Sequence, residues 1–203
     1  MQFILYSKLI FISELETTNV KTENLQMKVL GEKEDARFVL HTDFKSEFLL
    51  PIGQYVNWKL LNNWDDYNEL YHAVQFLVTI RDIDGVWFET HTIEKDEAIR
   101  GVIIMVGGKV KQVEPYCDLE EKYTLLLKYF HIVDKGRGLG TYWLNSIIKP
   151  HYADKGFRHI LVSSSHLQSF NFYEKMGKEV RTFTKHSDNG LFTRLCKSFL
   201  ISI

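Results

Sequence analysis

The predicted order of elements in this chain of 203 residues indicates a mixed α/β fold. Strand-forming segments dominate its first half, a strand–helix–strand–helix succession follows, and a hairpin closes the chain. The strongest signals are the buried-looking strand Tyr123 to Phe130, the amphipathic helix from Leu139, and the Asn189-Gly190 turn. Together they predict a mixed sheet with helices packed on it.

The first fifty residues have β-like composition in two places, Phe3 to Ile12 and Arg37 to Thr42. A polar stretch, Glu14 to Asn24, separates the first of these from the apolar Leu25 to Leu30. We therefore predict short strands in residues 1–50, either packed on the main domain or swapped out of it. The main domain would then comprise residues 51–203.

Four elements are expected between residues 54 and 107. The β-forming side chains of Tyr55 to Leu61 predict a strand. Trp64 to Ile80 is expected to be a helix, because Leu70, Val74, Leu77 and Val78 recur at helical spacing. Val86 to Ile93 and Ala98 to Val106 predict a hairpin, since a polar tetrapeptide joins them.

Helix and turn signals define the last third of the chain. Pro150 is expected to kink or end the helix that begins at Leu139, which buries Trp143, Leu144, Ile147 and Ile148. Arg158 to Val162 is expected to be a strand. The next helix would begin at the capping box Ser165 to Gln168 and stop at Gly177 as a C′ glycine. The closing hairpin would comprise Lys178 to Phe183 and Leu191 to Lys197.

Composition excludes several functional classes. There are 25 Lys and Arg residues against 26 Asp and Glu, so no net field favours nucleic acid or an anionic membrane. The two cysteines, Cys117 and Cys196, are far apart, which predicts inert thiols and neither a disulfide framework nor a zinc site. The histidines show no metal-ligand spacing, so no metal is expected. Without an apolar run of about 20 residues or a signal-peptide pattern, we expect a cytoplasmic protein.

The stretch from Lys135 to Gly140 contains three glycines, at every second position, between a strand and a helix. Glycine leaves the backbone open to a ligand, and the amides at a helix start attract anions. Lys135 and Arg137 add positive charge. This pattern predicts a diphosphate-binding loop, although an ordinary turn with two surface cations is the alternative. The sequence does not match the nucleotide-triphosphate loop GxxxxGK[ST] or the dinucleotide fingerprint GxGxxG.

A second motif stands at a suitable distance from the glycine loop. The helix after the next strand contains Asn171-Phe172-Tyr173-Glu174-Lys175-Met176-Gly177. The pattern [RQ]xxGx[GA], followed by helix, strand and a helix with FYEKxG, resembles the GNAT acyltransferase superfamily from about Thr124 to Gly177. The resemblance implies a mostly antiparallel sheet flanked by helices, to which the β-rich composition of residues 1–50 adds an extra N-terminal segment.

The resemblance also implies a site for acetyl-CoA. The loop amides would hold its pyrophosphate, and the end of the preceding strand would hold its pantetheine arm. Tyr173 would protonate the departing thiolate, although a core role beside Phe170 is the alternative. The implied cofactor-binding residues are Tyr129, Phe130, Ile132, Lys135, Gly136, Arg137, Gly138, Leu139, Gly140, Thr141, His166, Phe172 and Lys175.

Two positions depart from the pattern of the superfamily. His166 stands where many members have an asparagine that binds CoA. The strand Thr124 to Leu127 lacks the glutamate that often serves as general base. Glu121 lies just ahead of this strand, and Glu89 and His91 lie on the earlier hairpin. All three are better explained as surface or cleft-rim residues, so the base is left unassigned. Trp58, Trp64 and Trp87 are expected to fill the core, with an acceptor pocket as the alternative.

The resulting hypothesis is an acetyl-CoA-dependent N-acetyltransferase whose acceptor is a primary amine on a small molecule or a peptide. The alternative is a degenerate domain of the same fold that binds acyl-CoA without turnover. A third hypothesis is an interaction protein that uses its N-terminal strands and binds no CoA. The sequence does not identify the amine, and homodimerisation is left open.

Overall fold

The computed structural model describes residues 27–62, 67–186 and 193–203. Eight strands and four helices lie in these ranges, along with short 3₁₀ turns at Ser46–Leu49, Val110–Gln112 and Glu121–Tyr123. The strands are β1 (Met27–Lys33), β2 (Ala36–His41), β3 (Val86–Lys95), β4 (Ala98–Gly108), β5 (Thr124–Ile132), β6 (His159–Ser164), β7 (Lys178–His186) and β8 (Thr193–Ser202). The helices are α1 (Leu50–Leu61), α2 (Glu69–Arg81), α3 (the consecutive segments Leu139–Tyr142, Trp143–Ile148 and Lys149–Asp154) and α4 (Leu167–Met176).

The strands form one sheet in the order β1-β2-β3-β4-β5-β6-β8-β7. The pairs β1–β2, β2–β3, β6–β8 and β7–β8 are antiparallel, whereas β5 and β6 are parallel. The parallel pair is joined through α3, as expected, because parallel neighbours need a crossover connection. The predicted fold class, a mixed and mostly antiparallel sheet flanked by helices, is confirmed.

The described chain divides into two compact units. The first contains residues 27–83 (without 63–66), 89–104 and 129–135, and its core includes Phe38, Ile52, Leu77 and Ile103. The second contains residues 84–88, 105–128 and 136–203 (without 187–192), and its core includes Trp143, Tyr152, Ile160 and Phe199. These two units do not test the predicted boundary between residues 50 and 51, which stays a prediction.

Helix α1 occupies the segment for which we predicted the strand Tyr55 to Leu61, so that prediction is wrong. Pro51 lies in the first turn of the helix, where its missing N–H costs nothing. Ile52, Val56 and Lys59 are buried at helical spacing. The β-forming residues of this segment therefore follow the tertiary packing rather than their intrinsic preference.

Helix α2 begins later than predicted, at Glu69. Asn68 caps it by accepting a hydrogen bond from the Tyr71 amide at 3.0 Å. The predicted first turn, from Trp64 to Asp66, lies outside the described residues. Ala73, Leu77 and Ile80 are buried, which confirms an amphipathic helix over the rest of the predicted range.

Helix α3 buries Trp143, Leu144, Ile147 and Ile148 as predicted, but it does not end at Pro150. Its middle segment, Trp143–Ile148, is π-helical, and the proline lies at the start of the α-helical segment that follows. Proline is tolerated near the start of a helical segment because its missing N–H has no role there.

Helix α4 differs from the predicted caps at both ends. Its N-cap is His166 rather than Ser165, and the cap bonds come from Ser169, whose amide and hydroxyl donate to the His166 carbonyl at 2.9 and 2.8 Å. Gly177 has extended backbone angles, φ −163° and ψ −168°, and not the left-handed conformation of a C′ glycine. A Cβ at this position would overlap the carbonyl of Leu200 on β8. Gly177 is therefore required for close packing.

Both predicted hairpins are confirmed. Strands β3 and β4 are neighbours in the sheet, and β7 pairs with β8 from Lys178↔Leu200 to His186↔Thr193. The Asn189-Gly190 turn and the N-terminal segment Phe3 to Ile12 lie outside the described residues. Within the described ranges, no helix is long and apolar enough to cross a membrane.

Candidate functional site

The glycine loop joins β5 to α3 with an open backbone. Gly136 and Gly138 have positive φ angles of 84° and 69°, which disfavour residues with a side chain. A Cβ at either position would meet no atom within 4 Å. Neighbouring packing therefore does not require these glycines, and their backbone faces open space.

The start of α3 presents amides that the helix itself does not use. The first helical hydrogen bond of α3 runs from the Tyr142 amide to the Gly138 carbonyl, at 3.0 Å. The amides of Leu139, Gly140 and Thr141 precede that bond, so they belong to the first turn, which lacks intrahelical acceptors. The positive end of the helix dipole lies at the same place. These features suit an anion.

The two cations of the loop differ in environment. Among the described residues, Arg137 is exposed and has no ion-pair partner. Lys135 belongs to the first unit, where its Nζ lies 4.2 Å from the centroid of the Tyr55 ring. Although Lys135 is exposed as a whole, the protein around its side chain lowers its pKa, and the carboxylate of Glu69 partly opposes this shift.

Strand β5 is paired with β6 along only part of its length. The pairs run from Thr124↔His159 to Leu127↔Val162, and β5 then continues to Ile132. Beyond Leu127 its edge on the β6 side is therefore not engaged in this ladder. The predicted pantetheine-binding residues Tyr129, Phe130 and Ile132 lie in this part of the strand.

Tyr129 is a half-buried residue of the first unit. Its ring packs edge-on against Phe76, with 5.9 Å between the centroids. Burial raises the pKa of its phenol, and the neighbouring Tyr67 and Glu69 raise it further. The phenol is therefore neutral at physiological pH.

Tyr173 lies on α4 in the second unit and is 6% exposed. Its ring stacks on Phe199 at 5.6 Å between centroids and packs edge-on against Phe172 at 5.2 Å. Burial raises the pKa of its phenol, so the hydroxyl keeps its proton at physiological pH. The ring contributes to the core, while the protonated hydroxyl has the chemistry that a proton donor needs.

The remaining predicted ligands of the second unit lie in the first segment of α3, at the N-cap of α4 and within α4. His166 and Phe172 are half-buried, and the His166 amide donates to the Ser164 hydroxyl at 3.1 Å. Thr141 and Lys175 are exposed, whereas Leu139 and Gly140 are half-buried. All of these side chains belong to the same unit.

The structure changes our view of the acidic and basic residues considered as general base. His91 is completely buried in β3 and is not a rim residue. Glu121 accepts a hydrogen bond from the Lys111 amide at 2.7 Å, which is a structural role. Glu89 is half-buried on β3. The general base therefore stays unassigned.

An ion pair that the sequence did not indicate lies in the second unit. The Nζ of Lys128, the residue after the last β5–β6 pair, donates to Oε2 of Glu114 at 3.2 Å. Glu114 lies in the connection between β4 and β5, fourteen residues before Lys128. Strand β5 has no carboxylate of its own, and this connection brings one to it. No local pattern in the sequence could have shown this contact.

The cysteines and tryptophans give mixed outcomes. Cys117 and Cys196 are free and buried, and burial raises the pKa of both thiols, as expected for inert residues. Trp87 packs edge-on against Phe157, which agrees with core filling. Trp58 is 46% exposed and stacks on Tyr55, so the prediction of a core role is wrong for this residue. Trp64 lies outside the described residues.

Solved structures with the same architecture come from several bacteria. A Salmonella typhimurium acetyl transferase that modifies the N-terminal serine of ribosomal protein L7/L12 aligns with a TM-score of 0.57 and 10% identity, over 87% of this chain and 99% of that chain. A GNAT-family acetyltransferase from Desulfovibrio desulfuricans aligns at 0.53 and 11% identity, over 81% and 98%. The chain has the GNAT fold.

A third structure of this fold contains the donor. It is a GNAT-family acetyltransferase from Elizabethkingia anophelis with acetyl-CoA bound, and it aligns with a TM-score of 0.50 and 13% identity, over 84% of this chain and 100% of that chain. No protein-family model and no curated protein matches the sequence. The likeness therefore lies in the fold, and the predicted resemblance is confirmed at that level.

Proposed function

We propose that this protein is an N-acetyltransferase that transfers the acetyl group of acetyl-CoA to a primary amine. The observation that supports it best is the backbone of the glycine loop. Gly136 and Gly138 hold positive φ angles with open space where a side chain would be. These features leave room for a ligand to approach the backbone closely, and the loop differs from an ordinary turn in its position at the start of α3 beside the exposed Arg137.

The proposed binding site for the pyrophosphate is the loop from Lys135 to Thr141. The amides of Leu139, Gly140 and Thr141 would donate to its oxygens at the positive end of the α3 dipole. Arg137, which has no ion-pair partner within the described residues, would form a charge-assisted bond to the phosphate. The Lys135 ammonium would move from the Tyr55 ring and form a charge-assisted bond to the phosphate as well.

The pantetheine arm is proposed to pair with the backbone of Tyr129, Phe130 and Ile132. Pairing with β6 ends at Leu127, so an extended ligand could take the place of β6 along this edge. The other proposed contacts with CoA are from His166, Phe172 and Lys175.

The proposed reaction needs no covalent enzyme intermediate. The neutral amine attacks the thioester carbonyl, a C–N bond forms and the C–S bond breaks. Tyr173 donates its phenolic proton to the departing thiolate, and the ammonium formed at the new amide loses a proton to a base or to water. A phenol whose pKa is raised by burial is protonated when the thiolate leaves.

The acceptor is proposed to be an amine on a small molecule or a peptide. The Salmonella neighbour acts on the N-terminal serine of a protein, and such an α-amine falls within this class. We assign the reaction to residues 51–203 and regard residues 1–50 as an extension. The two free cysteines support a reducing compartment such as the cytoplasm.

Calorimetric titration of the full chain with acetyl-CoA tests this proposal. We expect micromolar binding that is lost in Gly138→Asp/Gly140→Asp, because two carboxylates would enter the anion site. Gly156→Asp is the matched control, since Gly156 also has a positive φ, 86°, and open space around its missing Cβ, but lies at the end of α3. Absence of binding to the wild type would refute the proposal. So would equal losses of affinity in the loop variant and the control.

A binding module of the same fold that does not turn over acetyl-CoA is the second candidate. It is favoured by β5, which has no carboxylate between Thr124 and Ile132. This candidate predicts that acetyl-CoA binds and that no free thiol is released across a broad panel of amines. Thiol release in the presence of any amine would exclude it.

A further inference from the structure

The Lys128 side chain lies at the point where β5 and β6 stop pairing. It belongs to the second unit, as do the loop from Gly136 onward and Tyr173. Its Nζ donates to Glu114 at 3.2 Å, and the two side chains are 20% and 19% exposed. Lys128 is therefore an amine that is largely enclosed but still partly exposed to solvent.

Sheet register places Lys128 on the face opposite Tyr173. Leu127 pairs with Val162, and Val162 pairs with Phe199, the residue on which Tyr173 stacks. The next residues along β6 and β8, Ser163 and Ser198, share a hydrogen bond on the other face.

Lys128 follows Leu127 as Ser163 follows Val162, so alternation directs it to the serine face. An electrostatic effect agrees with this assignment, because the positive charge of Lys185 on β7 acts to lower the pKa of both Lys128 and Cys196, although burial outweighs it at Cys196. Cys196 is two residues from Ser198 and so shares its face.

This arrangement suits an acyl transfer, which needs an amine nucleophile and a proton donor for the departing thiolate. In the proposed reaction the thioester lies beyond the last β5–β6 pair, with its sulfur towards Tyr173. The amine adds to the carbonyl carbon from above or below the plane of the thioester, and the thiolate leaves from the tetrahedral adduct. The amine can therefore come from the face of the sheet opposite Tyr173, and Lys128 is an amine of the chain itself on that face.

The environment of Lys128 also favours its reactive form. Burial lowers the pKa of its ammonium, and the positive charge of Lys185 lowers it further, while Glu114 opposes both effects. Lysines that are desolvated beside another cation become nucleophiles in this way. A larger fraction of Lys128 is therefore neutral at physiological pH than of an ordinary lysine.

We propose that Lys128 is acetylated by acetyl-CoA bound to the same molecule. This inference rests on the proposed function. The neutral Nζ attacks the thioester carbonyl, the C–N bond forms and the C–S bond breaks. Tyr173 donates a proton to the CoA thiolate, and the nitrogen loses one to Glu114. The products are Nε-acetyl-Lys128 and free CoA thiol, and solvent then returns a proton to Tyr173 and takes one from Glu114.

The test follows label from isotopically labelled acetyl-CoA into individual lysines of the full chain by peptide mass spectrometry. We expect label at Lys128 at least about tenfold faster than at the exposed Lys155 and Lys178, because a bound donor has a high effective concentration. Gly138→Asp/Gly140→Asp should reduce the rate at Lys128 to that of the exposed lysines. Lys128→Arg should remove the site and leave the labelling of the others unchanged.

The pH dependence separates a nucleophile from a residue that is merely accessible. Labelling of Lys128 should level off at a lower pH than labelling of a lysine in a short model peptide, because the pKa of Lys128 is lowered. Glu114→Gln should move that point lower still, because the lost carboxylate no longer favours the ammonium. Glu121→Gln is the control, since Glu121 is an acidic side chain bonded to the Lys111 amide.

The outcomes distinguish this inference from the proposed function. If acetyl-CoA binds and Lys128 is labelled no faster than the exposed lysines, the inference is wrong and the acetyltransferase proposal stands. If acetyl-CoA does not bind, both are wrong. Fast labelling of Lys128 that depends on the glycine loop supports both.

Discussion

Lys59 and Glu69 form an ion pair at 2.6 Å in the first unit, with side chains only 1% and 4% exposed. The Lys59 ammonium also donates to the Tyr67 carbonyl at 2.7 Å. The pair connects the last turn of α1 to the first turn of α2. Two charges removed from water depend strongly on each other, because either one alone would be buried without compensation.

Lys59→Met should therefore lower the free energy of unfolding by about 3–5 kcal/mol, the usual effect of breaking a buried pair. Urea denaturation measures this change. The double variant Lys59→Met/Glu69→Leu should lose less than Lys59→Met alone, since it leaves no uncompensated charge. Equal or larger loss in the double variant would contradict this account.

This pair illustrates what could and could not be predicted from the sequence. The segment from β5 through the glycine loop to α3 was predicted well, because its signals are local: an apolar run, turn glycines and helical spacing. Helix α1 was predicted as a strand. Its buried positions, Ile52, Val56 and Lys59, include a lysine, which counts as polar in any pattern. Its contacts with Glu69 and with the Tyr67 carbonyl allow it to be a core residue.

The candidate site shows the same division. The loop glycines and Tyr173 belong to contiguous motifs and could be named from the sequence. Glu114 could not be connected to Lys128, since the contact depends on the path of the chain between β4 and β5. The N-cap of α4 is His166, one residue later than predicted. The Ser169 hydroxyl, within the helix, donates to the His166 carbonyl, and this bond depends on the folded geometry.

Gly177→Ala should destabilise the protein by about 1–3 kcal/mol, the usual cost of forcing an extra methyl group into a packed site. Its backbone is extended, so the penalty arises from overlap with the Leu200 carbonyl and not from strain in φ. The midpoint of thermal unfolding reports the change. Gly53→Ala is the control: its Cβ would meet Leu70 at 3.6 Å, and a helical alanine should raise stability slightly. Similar destabilisation in both variants would contradict the steric explanation.

His41 should make stability depend on pH. Burial lowers the pKa of its imidazole below 6.5, although Glu94 opposes this effect. The unfolded chain therefore binds a proton at a pH where the folded protein does not. The contribution of His41 to the free energy of unfolding is therefore complete above pH 6.5. It is lost as the pH falls through 6.5 towards the pKa of His41 in the folded protein. An NMR titration should show a His41 pKa below 6.5 in the folded protein, and a value at or above 6.5 would contradict the prediction.

Tyr173→Phe should separate binding from chemistry. The ring would still stack on Phe199, so we expect a change in stability of less than about 1 kcal/mol and unchanged affinity for acetyl-CoA. The rate of acetyl transfer should fall by about 10²–10⁴-fold, the usual contribution of a general acid. Thiol release with amines and incorporation of labelled acetyl at Lys128 both measure this rate. Phe170→Leu, which alters another ring packed on Phe199 and keeps the Tyr173 phenol, is the control and should retain most of the rate. If Tyr173→Phe transfers acetyl as fast as the wild type, the phenol is not the proton donor and its ring serves only the core.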